Sequence, residues 1–241
     1  MRKTVLMFML AATGCIHAQV KPLGEGTLNL ETFGFDTKIT DLYPEKNKNN
    51  FYSNGNVYNF PGSNEEFFER NQEKNGYKIY DDDIQKDVVV YRQIFHISQP
   101  IARFGKQSFG NVAIMATPDG RIAAVGATAR NTTESQSAEF VASLTKKYGA
   151  PVRLKSDWDE NDAPLYEWIG KDRIIRYVYA VDKSTVLNVD LNEMRISQEE
   201  GGKTYESHLF IINPELREDV FPGGKRCTLS GNFVYINEKT D

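Results

Sequence analysis

Two cysteines and three histidines among 241 residues leave little material for thiol or transition-metal chemistry. Cys15, Cys227, His17, His96 and His208 are scattered, with none of the close spacings that a zinc site uses. A Ser-His-Asp triad would have to draw on one of these histidines, and no Gly-x-Ser-x-Gly turn accompanies them. No glycine-rich loop follows a strand pattern and no Walker-type lysine motif occurs, so the familiar nucleotide-binding fingerprints are missing and no cofactor is expected. Clustered basic charge is missing too. The chain carries 29 Lys and Arg against 33 Asp and Glu, a net charge of −4, which argues against nucleic acid as a partner and against a basic membrane-surface patch. Long apolar runs are also lacking. Residues 5–12 are apolar but too few to cross a bilayer, so no transmembrane helix is expected.

That short run follows Met1-Arg2-Lys3 and precedes Ile16-His17-Ala18, which offers a small residue before Gln19. A basic start, an apolar middle and a small-residue end make residues 1–18 a signal peptide. Removing it takes the net charge from −4 to −6, because those residues carry Arg2 and Lys3 and no acid. Two processing readings stay open. Cleavage before Gln19 is favoured, and the Ala18-Gln19 ending resembles signal peptides of secreted Bacteroidota proteins. Ala12-Thr13-Gly14-Cys15 resembles a bacterial lipobox, with Ala12 where leucine is usual, so a lipid anchor at Cys15 is the other reading. Either way the expected location is outside the cytoplasm, in the periplasm or at the cell surface. Cys227 is then left alone. Lys225 and Arg226 beside it favour a thiolate, but a catalytic thiol also needs a base, and a small buried hydrophobe is the expected role.

Beyond the signal peptide the chain divides into a β-rich half, residues 19–130, and a helix-plus-sheet half, residues 131–241, which can also form one continuous domain. In the first half, residues 44–64 are dominated by turn formers, with Tyr43, Phe51, Tyr52, Tyr58 and Phe60 interleaved among them. Ser63 or Asn64 is placed to cap a short helix through Phe67 and Phe68 that ends near Gly76. Residues 88–97 are β-branched and aromatic on both faces and read as a central strand. Asn111–Ala116, the Pro118-Asp119-Gly120 turn and residues 121–127 read as a hairpin. The Ala- and Gly-rich second arm lets another element approach closely.

The second half is clearer. Thr133 and Gln136 have capping-box spacing, and Ala138, Val141, Leu144, Thr145 and Tyr148 form a stripe at helical spacing. Gly149 and Pro151 end that helix. Leu165–Ile169, residues 173–181, residues 185–191 and Tyr205–Ile212 read as strands, with residues 232–236 as a closing strand. Glu66-Phe67 precedes Lys74 and Gly76 by the spacing at which Glu139-Phe140 precedes Lys147 and Gly149, as a tandem helix-then-meander duplication would produce. The expected fold is α+β: mainly antiparallel sheet with one well-defined helix packed on it.

Candidate functional residues are few. Asp157 to Asp162 begins like a calcium loop, but Asp162 and Trp168 occupy the positions that require Gly and Glu. With Asp81-Asp82-Asp83, it reads as solvated acidic loop. No metal site and no catalytic residue is assigned. Tyr166, Glu167 and Trp168 on one strand form the first binding candidate, since a carboxylate beside aromatics can contact a sugar ring. On a regular strand Glu167 shares the face of Leu165 and Ile169, and its ordinary role there is an edge-strand charge paired with Lys171 or Arg173. Tyr52 and Tyr58 in the aromatic loop are the second candidate, either as a stacking platform or as pins for a long loop. Lys146 to Pro151 followed by Leu165 to Trp168 resembles modules in uncharacterised Bacteroidota envelope proteins. The resemblance covers about a quarter of the chain and assigns no activity. The functional expectation is a non-enzymatic exported binding or interaction protein, with another protein or a glycan as partner; a periplasmic immunity protein is one concrete version. A carbohydrate-binding or glycan-processing protein and a structural lipoprotein are the alternatives.

Overall fold

The computed structural model describes residues 20–49, 56–63, 66–73, 88–94, 99–154, 163–181, 186–190, 195–199, 205–217, 228–230 and 233–235. The expected signal peptide, Cys15, Tyr52, His96, Cys227 and the acidic stretches 81–83 and 157–162 lie outside them. In chain order the strands of the first half are β1 (Leu28–Asn29), β2 (Lys48–Asn49), β3 (Val57–Asn59), β4 (Glu66–Glu73), β5 (Val88–Gln93), β6 (Ala102–Phe104), β7 (Gln107–Phe109), β8 (Asn111–Ala116) and β9 (Ile122–Thr132). Those of the second half are β10 (Val152–Leu154), β11 (Leu165–Ile169), β12 (Ile174–Val181), β13 (Val186–Asp190), β14 (Arg195–Glu199), β15 (Tyr205–Ile212), β16 (Thr228–Ser230) and β17 (Phe233–Tyr235). The helices are α1 (Ile39–Leu42), a single turn, and α2 (Glu134–Tyr148).

The fold is α+β and mostly antiparallel, as the sequence leads one to expect. One ten-stranded sheet runs in the order β10-β11-β12-β15-β9-β8-β5-β4-β3-β2, every neighbour antiparallel. Its two wings are built alike. A helix precedes the β2-β3-β4-β5 meander on one side and the β10-β11-β12-β15 strands on the other. In each wing the first strand lies outermost and the last lies against the central β8-β9 hairpin. That hairpin closes at Pro118-Asp119-Gly120, where Thr117 N–H donates to the Arg121 carbonyl at 2.9 Å and Gly120 takes a φ of 87°.

Helix α2 forms where its cap chemistry says it must. Gln136 N–H donates to Thr133 Oγ1 at 3.1 Å and Thr133 N–H donates to Gln136 Oε1 at 2.8 Å, so both halves of the capping box are made. Its buried stripe is Ser137, Phe140 and Leu144, flanked by Val141 and Tyr148, while Ala138 faces solvent. The face is thus rotated from the sequence expectation toward Phe140, which packs edge-on against Tyr177 at 4.8 Å and Phe104 at 5.7 Å. Burying such a ring contributes roughly 1.5–3 kcal/mol. Trp168 Nε1 donates to the Gly149 carbonyl at 3.1 Å, tying the helix end to β11.

Period-two alternation gives the sheet two apolar faces. One row crosses seven strands: Arg70, Tyr91, Ile114, Val125, Ile211, Ile175 and Trp168 stand opposite one another in turn. This face is covered by α2 at one wing and by residues 20–43 with the β1-β6-β7 sheet elsewhere. Arg173 clamps that N-terminal segment by donating to the carbonyls of Glu31 at 3.0 Å and Phe33 at 3.2 Å. The opposite face buries Val90, Met115, Leu165, Val178 and Phe210; β17 comes close to the Ala-rich β9 and to β15.

One expectation is overturned. Residues 66–73 form a strand rather than a helix, because they pair with β3 on one side and β5 on the other. A register shift opposite Tyr58 and Asn59 makes Phe67 the extra residue of a bulge, which puts Phe67 and Phe68 in the same core with rings 4.8 Å apart. The Glu66-Phe67 and Glu139-Phe140 offset therefore matches a strand to a helix, and those positions are not structural equivalents.

Candidate functional site

Tyr166, Glu167 and Trp168 do not line one cleft. Tyr166 and Trp168 join the core under α2, their rings 6.0 Å apart. Glu167 lies on the other face with Leu165, as alternation requires. There Arg176 Nε donates to Glu167 Oε2 at 2.7 Å, with the two side chains 4 % and 5 % exposed. The expected partners were Lys171 or Arg173 on an edge strand. In fact β10 covers β11, Arg176 stands directly opposite Glu167 on β12, and Arg173 is engaged with Asp172 and the N-terminal carbonyls. A carboxylate buried against a guanidinium is a structural pair, and opening it to a ligand would cost several kcal/mol.

Tyr58 leads elsewhere. It sits on β3 directly opposite Phe68, 4 % exposed, with its ring 5.6 Å from Tyr43 and 6.2 Å from Tyr91. Tyr43 is the residue that ends α1, its N–H donating to the Ile39 carbonyl at 2.9 Å, and its ring stacks on Tyr91 at 4.6 Å with planes 19° apart. The three rings pack on each other rather than presenting open faces, so they do not form the stacking platform that the loop aromatics suggest.

The three tyrosines border a pocket of about 380 Å³ between α1 and the β2-β5 wing, with Glu45, Lys48, Asn56 and Arg70 among its polar walls. That volume is within the range of small-molecule sites, about 300–1,000 Å³. Arg70, opposite Tyr91 in the register, donates through Nε to the Tyr91 hydroxyl at 3.2 Å. Its terminal nitrogens have no acceptor among the described residues. Lys48 pairs with Glu45 at 3.3 Å. The buried Tyr43 hydroxyl has no hydrogen-bond partner among the described residues. An unsatisfied buried hydroxyl costs about 1–3 kcal/mol, so its retention at a pocket wall is informative.

The electrostatics keep the Tyr43 and Tyr58 hydroxyls neutral. Burial pushes Tyr43 well above the ordinary tyrosine range, with Tyr91 and Tyr58 adding to it. Burial, then Tyr91 and Glu45, push Tyr58 up to about 12 against the opposing effect of Arg70. Neutral phenols can both donate and accept. A larger hollow of about 770 Å³ lies among residues 20–41, but among the described residues its walls come from one stretch of chain and gather no comparable set of buried polar groups.

Sequence reasoning reached Tyr43 and Tyr58 as loop aromatics. It missed Arg70 and Tyr91, which sit on strands whose pairing no local pattern reveals. The chain matches no protein-family model, no curated protein and no solved structure. Among the described residues no helix is long and apolar enough to cross a membrane.

Proposed function

We propose that this chain is a non-enzymatic binding protein exported to the bacterial cell envelope, with the pocket beside Tyr58 as its ligand seat. Export rests on the N-terminal signal pattern. The observation that carries the binding role is that Arg70 and Tyr43 border one pocket, and that among the described residues the guanidinium's terminal donors and the buried Tyr43 hydroxyl have no partner. The carboxylate on those walls, Glu45, is held by Lys48, which suits binding better than the paired carboxylates of glycan hydrolysis.

The test is retention. Full chain immobilised on a support is exposed to fractionated envelope glycans and peptides, beside an Arg70→Gln variant whose Tm matches the parent. Material held by the parent and lost by the variant supports the pocket. Equal retention by both, or none by either, contradicts it.

A protein partner is the second reading, favoured by Val152 and Ile169, which are 51 % and 63 % exposed at the outer end of the sheet on the Glu167 face. Paired apolar exposure of this kind suits a docking contact. A protein retained by Arg70→Gln but lost by a Val152→Asp, Ile169→Asp variant would select it.

A further inference from the structure

We infer that the pocket takes a carboxylate-bearing, hydroxyl-rich ligand, of which a hexuronic acid unit of an acidic glycan is the simplest form. The inference rests on the binding reading above and adds the ligand's chemistry.

Arg70 sets the charge preference. Its Nε is held by the Tyr91 hydroxyl at 3.2 Å, which fixes the guanidinium plane and leaves the two terminal nitrogens as a planar fork. A carboxylate matches that fork with two parallel, charge-assisted hydrogen bonds. Lys48 adds little net charge, because Glu45 lies 3.3 Å from its ammonium. Among the described residues the wall therefore offers one uncompensated positive charge, suited to a monoanion, and Glu45 repels the second charge of a phosphate dianion.

The remaining groups suit hydroxyls. Tyr43 brings a buried O–H that has no partner among the described residues, Tyr58 a second phenol, and Asn56 an exposed amide. Each can donate and accept, as sugar hydroxyls do. The volume of about 380 Å³ suits one such unit rather than an extended chain lying in a groove.

Calorimetric titration of the full chain with glucuronate, glucose and inorganic phosphate tests this. Glucuronate is expected to bind roughly tenfold or more tightly than glucose, the loss expected when a charge-assisted pair is removed. Arg70→Gln should abolish that preference. Tyr43→Phe, which removes the unpartnered hydroxyl and keeps the ring, should weaken glucuronate several-fold without lowering the Tm. Phosphate binding more tightly than glucuronate, glucuronate binding unchanged by Arg70→Gln, or no binding of any probe would overturn the inference. Glucose binding as well as glucuronate would also overturn it, yet leave the pocket standing as a site. Failure of the pocket itself is read separately, from retention that Arg70→Gln does not alter.

Discussion

Arg70 on β4 and Tyr91 on β5 are direct cross-strand partners, and the guanidinium Nε donates to the tyrosine hydroxyl at 3.2 Å. Tyr91 stacks in turn on Tyr43 at the end of α1. The orientation of the pocket's open cation is thereby tied to the packing of the N-terminal segment. Replacing Tyr91 by Phe keeps the stack and removes the anchor. Affinity for a carboxylate ligand should fall several-fold, with a stability change of about 1 kcal/mol or less, the typical net value of one hydrogen bond. Calorimetry beside a urea melt separates the two effects; a large stability loss with unchanged affinity would contradict this role.

The Glu167–Arg176 pair predicts an asymmetry between single and double substitutions. Glu167→Leu leaves a buried guanidinium without that carboxylate and should cost about 3–5 kcal/mol. Adding Arg176→Met should recover much of the loss, since well-packed apolar replacements of buried pairs are often close to neutral. Urea denaturation of the two single variants and the double variant measures the coupling.

The capping box predicts a smaller cost. Thr133→Ala removes the hydroxyl that accepts from Gln136 N–H and should lower stability by about 1 kcal/mol. Thr133→Ser should retain most of it, and thermal melts of the two variants distinguish side-chain capping from mere helix propensity.

His208 predicts a pH dependence. It is buried on β15 with Nδ1 3.1 Å from Thr128 Oγ1, and burial, then the Arg130 charge, push it down to about 3. An unfolded histidine takes up its proton near pH ~6.5, so below that pH the unfolded chain binds a proton the native chain refuses. This contribution to stability is full above about pH 6.5 and is lost as pH falls toward 3, by up to about 1.4 kcal/mol per pH unit. Between pH 7 and pH 5 the parent should lose about 2 kcal/mol more than a His208→Gln variant. Equal pH slopes in the two proteins would remove His208 as the cause.

Local signals were legible where local chemistry decides them. The Thr133 cap, the Pro118-Asp119-Gly120 turn and the strands Leu165–Ile169 and Tyr205–Ile212 stand where periodicity and turn residues put them. Phe67-Phe68 misled because adjacent buried rings suit a helix face, and only the bulge against β3 lets a strand bury both. Arg176 was within reach: the turn that joins Ile169 to Ile174 fixes the register and sets position 176 opposite 167. The pocket was not, because Arg70 meets Tyr91 through a pairing 21 residues apart in sequence, and Tyr43 reaches both through tertiary packing.

The most direct measurement is a titration of the full chain with glucuronate, followed through the arginine Nε–H resonances and assigned by the loss of one signal in Arg70→Gln. The Arg70 signal is expected to shift and saturate with the ligand while those of Arg103, Arg121 and Arg130 stay in place. A saturating shift at another arginine with Arg70 unmoved would contradict the account.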